Sequence, residues 1–299
     1  MSEKGFSLIE MLVSMFCVVI IMVSVYDVFS RQSGINTVEQ GILDLQLNSR
    51  IAIDRLDFLF SHAGFGCADS FADGDSLQGE DDVGDSVVIE NAISTIVDSN
   101  ASAGSDSVVV SYGFQKVGEI EDMPSSTQIN VENEKGPSVD ENANFKNYIS
   151  FYPDIAGNVF YEVGGSSEPF SVDRSLDTIA KNGTVSIYMV GPVKVFLENS
   201  VLQFRNYAYN STAWNATEHV ERIQFEYSTD GQSWESSPTD LEDIQAVRVF
   251  LLSRSSRKDP GYTDTKTYDM GDATVGPFND QYHRDLARKT IWIRSQLED

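Results

Sequence analysis

The sequence predicts an α+β fold: one long N-terminal α-helix, half of it apolar and half amphipathic, packed on a β-rich globular head with an antiparallel sheet. Three features of the chain carry that expectation. An apolar run near the N-terminus passes into a polar segment that keeps helical spacing, with no proline before Pro124 to interrupt it. From Ala68 onward, short β-branched and aromatic runs alternate with stretches rich in Asp, Gly and Ser, as strands and turns do.

The apolar run, Phe6 to Tyr26, has 21 residues, and apart from Glu10 each is apolar or serine. As a helix rising ~1.5 Å per residue it matches the ~30 Å hydrocarbon thickness of a bilayer. Lys4 just before it places a short N-terminus in the cytoplasm and sends the remainder out. A cleavable secretory signal would have a shorter apolar region and a small-x-small site, and none precedes Tyr26-Asp27. The run therefore reads as an anchor. A carboxylate such as Glu10 is costly in lipid unless it finds a partner, so its presence asks for a role.

Beyond Tyr26 the helical beat continues through Ile35, Val38, Ile42 and Leu45, and after a phase shift through Ile53, Leu56 and Phe60. Gly34 and Gly41 cost ~1 kcal/mol each in helix propensity relative to alanine and are expected points of bending or local melting. Gly64 and Gly66 in "HAGFGC" are placed to end the helix near Ser61. The expected organisation is thus residues 6–27 as membrane and assembly helix, 28–62 as its amphipathic second half, and 63–299 as head.

In the head, "DSVVIE", "SDSVVVSYGF", "NYISFY", "NVFYEV", "TVSIYMV", "SVLQFRNYAY", "VERIQFEYS", "QAVRVFLLS" and "KTIWIRS" read as strands. Ile223, Phe225 and Tyr227 alternate with Arg222, Gln224 and Glu226, the pattern of a sheet with one wet face. Asp-Gly within Thr229–Ser233 reads as a hairpin turn. Glu119–Asn144 and Arg254–Asn279 read as long surface loops.

The chain has 299 residues and a formal charge of −25, a field that repels phosphate backbones and argues against nucleic acid as a partner. Its two cysteines, Cys17 and Cys67, would lie tens of ångströms apart along a helical stem, so no intrachain bridge is expected. His62, His219 and His283 are scattered, and HExxH, CxxC and GxSxG are absent, so no enzyme is expected. No cofactor is expected beyond one calcium candidate. Asp73 and Asp75 in "DGDSLQGEDD" match the first two EF-hand spacings, while Leu77 and Gln78 break the pattern at the next ligand and at the turn glycine.

The local sequence "KGFSLIEML" resembles the leader site of type IV prepilins and pseudopilins. The resemblance implies a leader, residues 1–5, removed after Gly5 by a prepilin peptidase that also N-methylates Phe6, and it makes Glu10 the fifth residue of the mature chain. An amine created four residues from Glu10 gives that carboxylate a use: in a bundle it neutralises the N-terminus of a neighbouring subunit and sets register. "NSRIAIDRLDFLFSHAGFGC" and, in the same order, "GSDSVVVSYG", "HVERIQFEYSTDGQSW", "IQAVRVFLLSRS" and "YHRDLARKTIWIRSQ" are similar to segments of the PilW family of minor pilins. What the resemblance implies is a single-pass inner-membrane protein with a periplasmic head, later part of a pilus at or near its tip. Its implied partners are the peptidase, the other minor pilins, the major pilin, the inner-membrane assembly platform and, before assembly, lipid. The rivals are a J-type minor pseudopilin of type II secretion, for which this chain is long, and a signal-anchored periplasmic enzyme.

Overall fold

The computed structural model describes residues 8–66, 71, 76–80, 86–95, 104–132, 146–152, 161–165, 168–176, 185–207 and 213–294. Helix α1 runs from Leu8 to Ser61, 54 residues without a break. The helix does not melt at Gly34 or Gly41. Each glycine removes ~1 kcal/mol of propensity, which propagation of the flanking helix absorbs, and Gly41 is already buried. The buried stripe follows Gly41, Leu45, Ser49, Ala52, Leu56 and Phe60. It starts more than a turn later than predicted: Ile35 is 52% exposed, and Val38 and Ile42 are half-buried. The helix ends as expected, with Gly64 and Gly66 at φ 74° and 70°, the left-handed region that glycine enters without steric cost.

Strands β1 (Leu77–Glu80), β2 (Ser86–Ile89), β3 (Ile93–Thr95), β4 (Val108–Ser125), β5 (Gln128–Glu132), β6 (Tyr148–Tyr152), β7 (Tyr161–Gly164) and β8 (Phe170–Val172) come next. They are followed by β9 (Ser186–Glu198), β10 (Val201–Asn206), β11 (Trp214–Glu218), β12 (Val220–Ser228), β13 (Ala246–Arg254), β14 (Tyr268–Asp269), β15 (Thr274–Val275) and β16 (Arg284–Trp292). All pairings between them are antiparallel. Just past the helix, the Gly64 N–H donates to Ser111 O (2.9 Å) and the Gly113 N–H to Phe65 O (2.7 Å), fixing the turn against β4.

The long strand β9 shares one edge between β10 and β6, end to end, and gives the other to β4. Tracing the pairings from β9 through β6, β7, β8, β5 and β4 leads back to β9, so these six strands close into a small barrel. Its interior is filled by residues at strand spacing, among them Ile129 and Val131, Ile149 and Phe151, and Ile187 and Met189. The expectation that Glu119–Asn144 is a surface loop fails over Glu119–Glu132, and the remainder lies outside the described residues. β4 continues to Ser125 and β5 returns, because Val117, Ile120, Ile129 and Val131 complete the barrel core, although the acids between them conceal the alternation.

The stem end of α1 lies between two sheets. On one side are β4, β9, β10 and β11, on the other β12, β13 and β16, and Leu56, Phe60, Val195, Phe204, Phe225 and Val249 share one core. The far face of the β12–β13–β16 sheet was expected to be wet, and the 254–279 segment to be a surface loop. Both expectations fail together: this segment folds back over the sheet, burying Phe250, Leu252, Tyr268 and Met270 in a second layer, and Gln224 is buried as well. The turn at Thr229–Ser233 forms as predicted, with Gly231 at φ 73° and Tyr227 and Glu235 exchanging backbone hydrogen bonds of 2.8 and 2.9 Å.

Candidate functional site

The apolar side chains in the N-terminal half of α1 are exposed. Its most apolar 18-residue window is 0% buried, so its side chains can only be satisfied by lipid or by other chains. Two of its hydroxyls are satisfied within the helix: Ser14 Oγ donates to Glu10 O, and Ser24 Oγ to Ile20 O at 2.9 Å. Glu10 sits in the first helical turn, where a carboxylate is favoured by the helix dipole, and is exposed along with the residues around it. Gly5 and Phe6, the expected cleavage and methylation positions, lie outside the described residues, as do Cys67 and the calcium candidates Asp73 and Asp75. Cys17 is a free, exposed thiol on the helix.

Sequence reasoning found one apolar stripe on the stem; the structure has two. Leu43, Leu47, Ile51 and Phe58 are 63%, 57%, 36% and 57% exposed. At 100° per residue they lie opposite the buried line of Leu45, Ala52 and Leu56. Followed toward the N-terminus in steps of three and four, the exposed line passes Gln40, Asn36, Ser33, Phe29 and Met22 to Met11 without meeting a charged side chain. A helix apolar on one side only is a surface helix, whereas this one is built to be covered on both sides. Reading the reverse face at the same period would have revealed it.

Where this line meets the head, a groove of about 420 Å³ opens between α1 and β11. Ile51, Arg55, Phe58, Tyr112, Phe204 and Trp214 line it. Trp214 stacks on Phe204 at 4.8 Å, and the Arg55 guanidinium lies 5.3 Å from the Trp214 ring while donating to Ala216 O at 3.0 Å. These contacts hold edge strand β11 to the stem.

The titratable groups of the head converge elsewhere, at the start of β16. Arg284 donates to Asp264, Asp280 and Glu221, and the Tyr268 hydroxyl adds a hydrogen bond to Asp264. Burial pushes the Tyr268 hydroxyl up, and its bond to Asp264 adds to the shift. The hydrogen bond from Arg284 holds Asp280 below the usual carboxylate range. Next to this knot, His283 Nε2 lies 3.0 Å from Asp259 Oδ2 and its ring stacks on Tyr262 at 3.9 Å. The Ser255 hydroxyl oxygen accepts the His283 backbone N–H, and the Ser255 hydroxyl donates to Arg257 O, so this serine is not aimed at the imidazole as a nucleophile. The knot fastens the 255–283 segment to the sheet. His62 bonds the helix end at Phe58 O, and His219 occupies the β11–β12 turn at φ 62°. Among the described residues no group of three His, Cys, Asp or Glu side chains could hold a metal ion.

This fastening predicts a pH dependence. Asp259 is held low by His283 and the Gly261 N–H, Asp280 by Arg284, and Asp230 is brought down to about 2 by the Ser233 and Gln232 N–H groups of its turn. A carboxylate with a depressed folded pKa stabilises the fold above its ordinary value and loses that contribution as pH falls through the folded value. Amide exchange in residues 255–283 is therefore expected to accelerate as pH falls below the ordinary carboxylate range, and in residues 229–233 as it falls from about 4 toward about 2. Exchange unchanged over that range, after correction for intrinsic rates, would contradict the assignment.

Comparison with known proteins follows from this geometry. The family model of PilW, described as type IV pilus-assembly protein W, matches residues 187–295, and the prokaryotic N-terminal methylation motif matches residues 1–26. No curated protein sequence matches the chain. Among solved structures, a type IV-like pilin, TTHA1219 from Thermus thermophilus, aligns with a TM-score of 0.40 at 10% identity, covering 84% of this chain and 96% of that one.

Proposed function

We propose that this chain, a PilW-like protein of the type IV pilin family by its methylation motif and PilW domain, acts as a minor pilin in pilus assembly through the exposed face of α1. The observation that carries the reading is the uncharged line from Met11 to Ile51, which outruns the bilayer-spanning part of the helix and so serves a protein bundle as well as lipid. In the inner membrane the N-terminal half is the anchor and the head stands in the periplasm. Prepilin peptidase cuts after Gly5 and methylates Phe6. The helix then leaves lipid for a bundle of pilin helices, where Glu10 meets the N-terminal amine of a neighbour. A head with its own closed barrel and a second covered sheet is bulky for a closely repeating shaft, which supports a place at or near the tip. The match of the PilW domain to the C-terminal third supports the pilus over the type II secretion machine.

Glu10→Ala is expected to leave membrane insertion intact while lowering the amount of this chain in sheared pili at least tenfold, the equivalent of ~1.4 kcal/mol of lost pairing. Mass spectrometry of the pilus-associated chain should find methylated Phe6 at its N-terminus. Intact Met1 in that fraction would overturn the processing step, and wild-type incorporation of Glu10→Ala would overturn the pairing.

A further inference from the structure

The sheet formed by β12, β13 and β16 ends at β16. The Ile293 N–H donates to Gln245 O, and the Ser255 N–H to His283 O, so the odd-numbered residues of β16 exchange backbone bonds with β13. The N–H and C=O groups of Leu286, Arg288, Thr290 and Trp292 therefore point outward, along an edge on which no described strand lies. Arg288, Thr290, Trp292 and Arg294 are exposed, so the edge is open to a partner. It is also the wrong sign for this protein. Of the four basic residues in 284–294, Arg284 is taken up by three carboxylates and Lys289 pairs with Asp57, which leaves Arg288 and Arg294 exposed in a chain whose net charge is −25. Like charges on an edge strand guard it by repulsion; basic charges on an acidic molecule invite an acidic strand instead.

We propose that the outer edge of β16 receives an extended, acidic segment of a different pilus subunit, which adds to the β12–β13–β16 sheet as a further strand. The added strand would take its main-chain hydrogen bonds from Leu286, Arg288, Thr290 and Trp292, and its acidic side chains would meet Arg288 and Arg294. A second copy is disfavoured as donor because two acidic heads repel each other. The proposal rests on the pilin reading above.

The test uses the full-length chain in piliated cells, with a benzophenone amino acid at position 290, followed by peptide mapping of the adducts. The expected product joins position 290 to an acidic, extended peptide of another pilus subunit. Thr290→Pro removes an outward N–H without touching the β13 ladder, and it should lower the amount of chain in sheared pili at least fivefold, as should Arg288→Glu; Thr290→Val, which keeps the N–H, should not. Thermal melts of each variant separate a folding defect from a lost edge contact, and Arg288→Glu stays informative if the proline variant unfolds. Adducts only with a second copy of this chain, no adduct, or normal incorporation of folded Thr290→Pro and Arg288→Glu would overturn the proposal. Absence of the wild-type chain from the pilus fraction would overturn the pilin reading itself, and this proposal with it.

Discussion

Arg284→Met is expected to destabilise the head by about 3–5 kcal/mol, because it removes the one partner shared by three carboxylates rather than a whole ion pair. The Arg284 side chain is 1% exposed, with Nη1 2.9 Å from Asp264 Oδ2 and Nη2 2.7 Å and 2.9 Å from Asp280 and Glu221. Without it, Asp264, which is fully buried, faces two other acids across the same space. Arg254 can compensate only in part, since it approaches Glu221 at 3.6 Å and is otherwise laid over the Tyr282 ring. Arg284→Lys should recover less than half of the loss, because a single ammonium cannot present the forked donors that three carboxylates use. Thermal unfolding of the full chain in detergent measures both. A loss below about 1 kcal/mol for the methionine variant would show that the 255–283 segment is held by Tyr268 and Met270 packing alone.

Phe60→Ala is the second large effect, expected at about 3–5 kcal/mol. Phe60 is 0% exposed and meets Phe225 edge-on at 5.4 Å, in the layer where the stem touches both sheets. The cavity left there loosens stem from head, so limited proteolysis in the 61–66 turn should rise along with the fall in melting temperature. Phe58 is only two residues away but is 57% exposed on the opposite face. Phe58→Ala should change the stability of the isolated chain by less than about 1 kcal/mol and act on assembly instead. Equal loss of stability in the two variants would mean that the two faces of α1 are not specialised as described.

Legibility from sequence followed the strength of each local signal. The helix could be read because a 54-residue element with no proline and a clear apolar run leaves few alternatives, and its end was marked by paired glycines. Strands with dense apolar runs, such as Ala246–Arg254, were equally plain. What escaped was everything decided by long-range contact. β5 and the second half of β4 carry Glu119, Glu121, Asp122 and Glu132 on their outer side, so average polarity hid an inner side of valine and isoleucine. The cover over the β12–β13–β16 sheet escaped because Tyr268 and Met270 are too sparse to show a period, and a buried Arg284 looks like any surface arginine until its three acids are brought together from Glu221, Asp264 and Asp280. Glu10 stood out by its isolation in an apolar run, and its pairing role is a proposal, whereas the outward stripe of Leu43, Leu47, Ile51 and Phe58 was overlooked because one amphipathic face had already explained the helix.

The way α1 is seated also sets how the molecule bears load. A pull along the helix axis acts parallel to a contact strip that extends from Ala52 to Phe60 and is gripped from two sides. To slide, the helix must break that strip in shear, many side chains at once, rather than unzip it one residue at a time. The six-stranded barrel holds no residue of α1 in its core, and only β4 and β9 run from it into the stem layer, so the rest of the barrel can keep its shape while the stem is under tension. Force spectroscopy pulling between the N-terminus and β16 should therefore meet its main resistance at the stem layer, with the barrel yielding in a separate event.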